Sequence, residues 1–199
     1  LVYDQLLENY ETQINKRQQR IDSLERISVK KNLSLIEQYN HNLQLYKEFR
    51  PYISDSAIYY QKKSISLAEK IGDKNLLSDS KLQLSFFLAS IGLYKESVDI
   101  LNEIQEADLT PSLLIDYYNG MRHTYGELSF YGKDADLSNR YRQVSNTYTD
   151  KLRNMLQKED DNLLDILESD YRNNRDFKMS LEINDLRLNS TTENSQKYA

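Results

Sequence analysis

Apolar positions along this chain recur at intervals of three and four, the spacing that keeps one stripe on one face of a helix. From Val2, the stripe through Leu6, Tyr10, Gln13/Ile14, Arg17, Ile21 and Leu24 predicts a long first helix to about Ile27. Ile36, Tyr39, Leu43, Tyr46 and Phe49 predict a second. Ser34 and Glu37 have capping-box spacing for its start, with Asn32 as the alternative cap. Arg50-Pro51 stops it, because the residue before proline avoids helical dihedrals. A third helix, capped by Asp55 or Ser54, runs through Ala57, Ile58, Ile65, Ala68 and Ile71 to Gly72, glycine being the residue that readily leaves a helix left-handed. Leu77, Leu84, Phe87/Leu88 and Ile91 lead to Gly92, and Tyr94, Val98, Leu101 and Ile104 follow.

The same alternation continues. Thr110-Pro111 opens a helix, since proline suits a first turn, with Leu114, Tyr117/Tyr118, Met121, Tyr125 and Leu128 as its stripe. Asp134 to Leu156 supplies a partner through Leu137, Tyr141, Val144, Tyr148, Leu152 and Met155. After a charged break at Gln157–Asp161, Leu163/Leu164, Leu167 and Tyr171 pair with Phe177, Leu181, Ile183 and Leu188. Asn189 to Asn194 reads as a polar turn and Ser195 to Ala199 as the start of another helix. On that reading the array continues, and Phe177, Leu181 and Leu188 lack a covering neighbour.

These helices come in repeats. Tyr52-Ile53-Ser54-Asp55-Ser56-Ala57-Ile58, Gly92-Leu93-Tyr94-Lys95-Glu96-Ser97-Val98 and Gly132-Lys133-Asp134-Ala135-Asp136-Leu137-Ser138 are alike, with anchors at 57, 97 and 137. A looser copy is Arg175-Asp176-Phe177-Lys178-Met179-Ser180-Leu181. A fixed period of this size marks a solenoid, in which each unit buries its apolar face against its neighbours. The expected fold is all-α, an array of antiparallel helix pairs: a long N-terminal helix at 1–31 and about four repeats over 32–199, with the last truncated.

Composition narrows the function. Five Gly and two Pro are too few turn-formers for a sheet-rich fold, and a formal net charge of −5 argues against general nucleic-acid binding, which rests on basic side chains displacing phosphate counterions. Zero Cys excludes disulfides and thiolate metal sites. The absence of an initiator Met implies a processed or trimmed product, any signal peptide lying outside the sequence.

The segment Asp55 to Asp73 resembles the second helix and exit turn of a tetratricopeptide repeat, and Gly92-Leu93-Tyr94-Lys95-Glu96-Ser97 resembles that family's inter-helix turn. The resemblance implies a right-handed superhelix in which small residues at Ala57, Ser64, Ser97 and Ser180 let paired helices approach closely. Leu137 stands where a small residue is expected, and the period of 40 exceeds the family's 34. Tyr10, Lys16, Arg20-Ile21-Asp22-Ser23-Leu24 and Asp55-Ser56-Ala57 are similar to the extracytoplasmic half of some bacterial membrane-anchored regulators. This implies a periplasmic or envelope sensor, touching the membrane only through a segment outside this chain; a cytoplasmic location is the alternative.

Catalysis finds little support. His41 and His123 are the only histidines, each without a second ligand at helical spacing, so no zinc site, cofactor or enzymatic activity is expected. The five glycines are isolated and form no phosphate loop. Glu159-Asp160-Asp161 reads as a solvated helix start, and Asp134-Ala135-Asp136 lacks the central Gly and terminal Glu of a calcium loop. Lys16 to Arg20, among Glu8, Glu11, Asp22 and Glu25, reads as a salt-bridged solvated face. Most of the sixteen tyrosines fill space between helices, although tyrosine also suits recognition surfaces.

The resemblance implies instead a peptide groove lined by exposed residues of each repeat's first helix. Carried over by position, these are Asn40 and Gln44, then Asp79, Leu82 and Phe86, then Asn119 and His123. The expected function is a protein or peptide interaction scaffold, the sensor region of an envelope-located regulator. The rivals are a structural spacer dimerising through the first helix, and a glycan- or small-ligand-binding envelope protein.

Overall fold

A computed structural model of the chain describes residues 2–28, 33–156, 161–173 and 175–197. Every regular element among them is helical: α1 Val2–Ser28, α2 Leu35–Phe49, α3 Ser54–Ile71, α4 Lys74–Ser90, α5 Tyr94–Asn102, α6 Pro111–Tyr131, α7 Ala135–Met155, α8 Asp161–Asn173 and α9 Phe177–Lys197, with a 3-10 turn at Glu106–Asp108. The alternative cap Asn32 and residues 157–160 of the charged break lie outside the described residues.

Local chemistry sets the helix ends. Ser34 and Glu37 form the expected capping box: the Glu37 amide donates to Ser34 Oγ at 3.4 Å, and the Ser34 amide donates to Glu37 Oε2 at 2.8 Å. Asp73 caps α4 by accepting from the amides of Asn75 and Leu76, and Asp134 caps α7 by accepting from Leu137. That contact accounts for Asp134 without a calcium loop. Neither Ser54 nor Asp55 caps α3. Its cap position is Ile53, without a side-chain bond, because after Pro51 the amides of Tyr52 and Ile53 both turn back to the Phe49 carbonyl and Ser54 already lies inside the helix. Nor does a turn interrupt residues 189–194, where α9 runs on to Lys197. Asn, Ser and Thr cost little in a helix interior, and neither Gly nor Pro stands there to break it.

The repeats are equivalent in detail. Ala57, Ser97, Ser138 and Ser180 are each the fourth residue of their helix, and each amide donates to the carbonyl just before that helix, at 2.9–3.1 Å. Three of the small side chains also tie the pair together: Ser97 Oγ donates to the Ser85 carbonyl at 2.9 Å, Ser138 Oγ to the Ser129 carbonyl at 2.6 Å, and Ser180 Oγ to Glu168 Oε1 at 2.8 Å. The third anchor is therefore Ser138 rather than Leu137, which is exposed. One extra residue in the turn from Gly132 to Ala135 moves the register.

The turns match as well. Gly92 (φ +83°) sends its amide to Ala89, and Leu93 sends its own to Leu88; Arg175 (φ +61°) and Asp176 make the same two bonds to Arg172 and Tyr171. In the last repeat an arginine thus adopts the left-handed conformation that the second repeat gives to glycine.

The chain divides into two compact units, residues 1–120 and 121–199, with the division inside α6. In the first, α1 packs on α2, α2 on α3, α3 on α4 and α4 on α5. Ile21 of α1 is buried against Leu45, Tyr46, Phe49, Ala57 and Phe87, while Arg20 grips Glu48 of α2 through two bonds at 2.8 and 3.0 Å. Among the described residues, the basic face thus finds its carboxylate partner on the next helix. Tyrosines fill the layers as expected. Tyr60 stacks on Phe49 at 5.5 Å, and buried Tyr118 donates to Glu106 at 2.8 Å.

In the second unit, Ser145 Oγ donates to the Arg122 carbonyl at 2.8 Å, holding the end of α6 against α7. α8 packs against α7 and α9. Phe177, Leu181 and Leu188 stand exposed, and Leu181 keeps 65% of its surface.

Candidate functional site

Within the first unit the opening helices of successive pairs stand side by side. Tyr39 of α2 shares a hydrogen bond with Ser80 of α4 at 2.9 Å, and the Tyr46 hydroxyl donates to the Gln83 carbonyl at 3.2 Å. Between α4 and α6 the spacing is set by Gly120. A Cβ there would lie 3.6 Å from the Phe86 ring and 3.2 Å from Leu101, so α6 comes close because this position has no side chain.

Each helix turns a strip of residues at helical spacing away from the core. On α2 these are Asn40, Gln44 and Lys47, all exposed. On α4 they are Asp79, Gln83 and Phe86, all half-buried, and on α6 exposed Asp116 and half-buried Asn119. Gln83 Nε2 donates to Asp79 Oδ2 at 2.7 Å.

The electrostatics tie the strips into one surface. Burial pushes the Asp79 carboxyl above its ordinary value, while the Gln83 hydrogen bond and the Lys47 charge pull it back. Burial also raises Asp116, and the negative charge of Asp79 raises it further. Lys47 of α2 therefore acts on Asp79 of α4, and Asp79 on Asp116 of α6. Two carboxylates that repel in a partly desolvated place favour a cation nearby.

Asn40, Gln44, Asp79, Phe86 and Asn119 all belong to this unit. Leu82 is 2% exposed and faces the core. The reason is the position of α4, surrounded closely enough that Ser78, Ser80, Leu84, Ser85, Phe87, Leu88 and Ala89 are buried with it. Gln83 occupies the surface position instead. His123 is exposed on the part of α6 that belongs to the second unit, where it lines a cleft with Arg122 and Arg142. His41 is buried, which lowers its pKa.

Lys47, Gln83 and Asp116 escaped the sequence reading, although each lies three or four residues from one that was named. Extending each strip by one helical step finds them. Among the described residues, no group of His, Cys, Asp and Glu is placed to hold a metal ion, and no helix is long and apolar enough to cross a membrane.

A family model described as the SusR N-terminal TPR domain matches residues 7–199. A comparison with curated proteins finds no match.

Proposed function

Because this chain belongs to the SusR N-terminal TPR domain family, we propose that it is the sensing region of an envelope-located regulator, and that it recognises a protein or peptide on the face formed by α2, α4 and α6. A tetratricopeptide array is a protein-interaction scaffold. The observation that carries the reading is the run of Lys47, Asp79 and Asp116 across the opening helices of three successive pairs, flanked by the amides of Asn40, Gln44, Gln83 and Asn119. Amide side chains offer donors and acceptors to an extended backbone. The paired carboxylates favour a basic side chain, and half-buried Phe86 offers an apolar contact.

Selection of a random-peptide phage library against the whole chain tests this. The reading expects peptides that carry a basic residue near an apolar one. Their affinity falls by about 1–3 kcal/mol in Phe86→Ala, the scale of one interface anchor, and falls again in Asp79→Asn. It stays unchanged in Lys16→Ala on α1. Selected peptides that bind Phe86→Ala and Asp79→Asn as tightly as the parent would overturn the reading.

A further inference from the structure

The second unit holds a cleft of a different chemistry. Its volume is about 730 Å³, within the usual range of small-molecule sites. Its walls are strips at helical spacing from α6, α7 and α8, and each strip contributes one arginine: Arg122, Arg142 and Arg172. Exposed His123 lies beside them.

The wall's two α8 carboxylates are already occupied. Asp165 takes Arg122 at 2.9 Å and Arg187 at 3.3 Å, and Asp170 is ion-paired with Arg153. Among the described residues Arg172 reaches only Glu168, at 3.6 Å, and Glu168 also accepts from Ser180. Arg142 is exposed and makes no ion pair among the described residues. The Nε of Arg122 is shielded from solvent and has no acceptor there. Two arginines behind the wall, Arg153 and Arg187, thus neutralise acids inside it. α6 adds a third carboxylate, Glu127, to the lining, and with five arginines set against three wall acids and Glu168 the cleft still has cationic capacity left over. Guanidinium groups from three helices suit an oxygen-rich anion better than ammonium groups would, because each fork donates to two oxygens at once.

We propose that this cleft binds a small multivalent anion, one carrying carboxylate, phosphate or sulfate groups, with Arg142 as its principal free contact and Arg172 and His123 beside it. The site is separate from the α2–α4–α6 face, and its ligand is opposite in charge to the segment expected there. Its failure would leave the first reading untouched.

The test is calorimetric titration of the whole chain with citrate, inorganic phosphate and inorganic sulfate in turn, at constant ionic strength held with sodium chloride. At least one should bind saturably with one site per chain. Arg142→Ala should weaken that binding by about tenfold or more, the loss of one charge-assisted bidentate contact. Arg140→Ala removes the same charge from the same helix outside the cleft and should change little; Phe86→Ala in the first unit should change nothing. Citrate would distinguish carboxylate chemistry from the two inorganic anions. The proposal is overturned if none of the three saturates, if Arg142→Ala and Arg140→Ala behave alike, or if an acidic hexapeptide binds the cleft while all three small anions do not.

Discussion

The two units are built from the same repeat and differ in how many large apolar side chains they bury. In residues 1–120 the helix pairs close over large apolar side chains: Ile21, Tyr39, Leu45, Tyr46, Leu84, Phe87 and Leu101 are all buried. In residues 121–199 the buried apolar side chains among the described residues are Met121, Leu152, Leu164, Ile166 and Ile183. Both units also expose apolar side chains, such as Tyr59 and Ile53 in the first and Phe130 and Leu181 in the second. Both carry ion pairs between helices, Arg20–Glu48 in the first and those of Arg122, Arg153 and Arg187 in the second. Hydrophobic burial scales with area removed from water, whereas partly exposed ion pairs contribute little. One repeat geometry thus carries a larger apolar core in the first unit than among the described residues of the second, and the second is expected to be the less stable. Each also carries its own chemistry, carboxylates on the first and guanidinium groups in the second.

The largest effect should separate the two cores. Leu45→Ala empties a fully buried position and should cost about 2–5 kcal/mol. Leu181→Ala, on the exposed side of α9, should stay within about 0.5 kcal/mol. Urea denaturation measures both, and equal costs would break the contrast. Native-state hydrogen exchange should likewise show amides of α8 and α9 exchanging before those of α2 to α5.

A second test concerns the small anchors. Ser97 has no exposed surface and bonds across its helix pair, so Ser97→Leu should cost about 1–3 kcal/mol or more through overpacking. Ser138→Leu should cost less, because that position is only half-buried. Leu137→Ala should be close to neutral. A larger cost at Leu137 than at Ser138 would restore the sequence register.

That register shows where sequence reasoning stops. The helices were legible because a buried stripe must recur every three to four residues whatever its neighbours do, and the cap at Ser34 follows from local chemistry. The one-residue shift to Ser138 was hidden because a turn absorbs an insertion without disturbing the stripe on either side. Leu82 was misplaced because its exposure depends on how many helices surround α4, a property of the assembled layers. Arg122, Arg142 and Arg172 lie 20 and 30 residues apart in sequence, so no motif announces the cleft they share.

A smaller effect sharpens the comparison between turns. Arg175→Gly should stabilise the second unit by about 1 kcal/mol, the cost of a left-handed backbone for a residue with a Cβ. Gly92→Ala should destabilise the first by a similar amount. Both follow from the shared bonding of the two turns.

The pH dependence is the subtlest effect. Asp79 and Asp116 hold their protons more tightly in the folded chain than in the unfolded one. Between the ordinary carboxylate value and their raised folded values, the folded state binds more protons. Stability contributed by these two groups therefore falls as pH rises through that window. Asp79→Asn/Asp116→Asn should flatten the thermal-melting profile there and melt higher at neutral pH. An unchanged slope would mean that the two carboxylates are not partly desolvated.

The function itself rests on which surface a partner covers. Hydrogen–deuterium exchange of the whole chain with and without a selected peptide measures that directly. Exchange should slow in residues 40–47, 79–86 and 116–120, with the second unit unchanged. Protection confined to α3 and α5, or to residues 121–199, would contradict the proposed function.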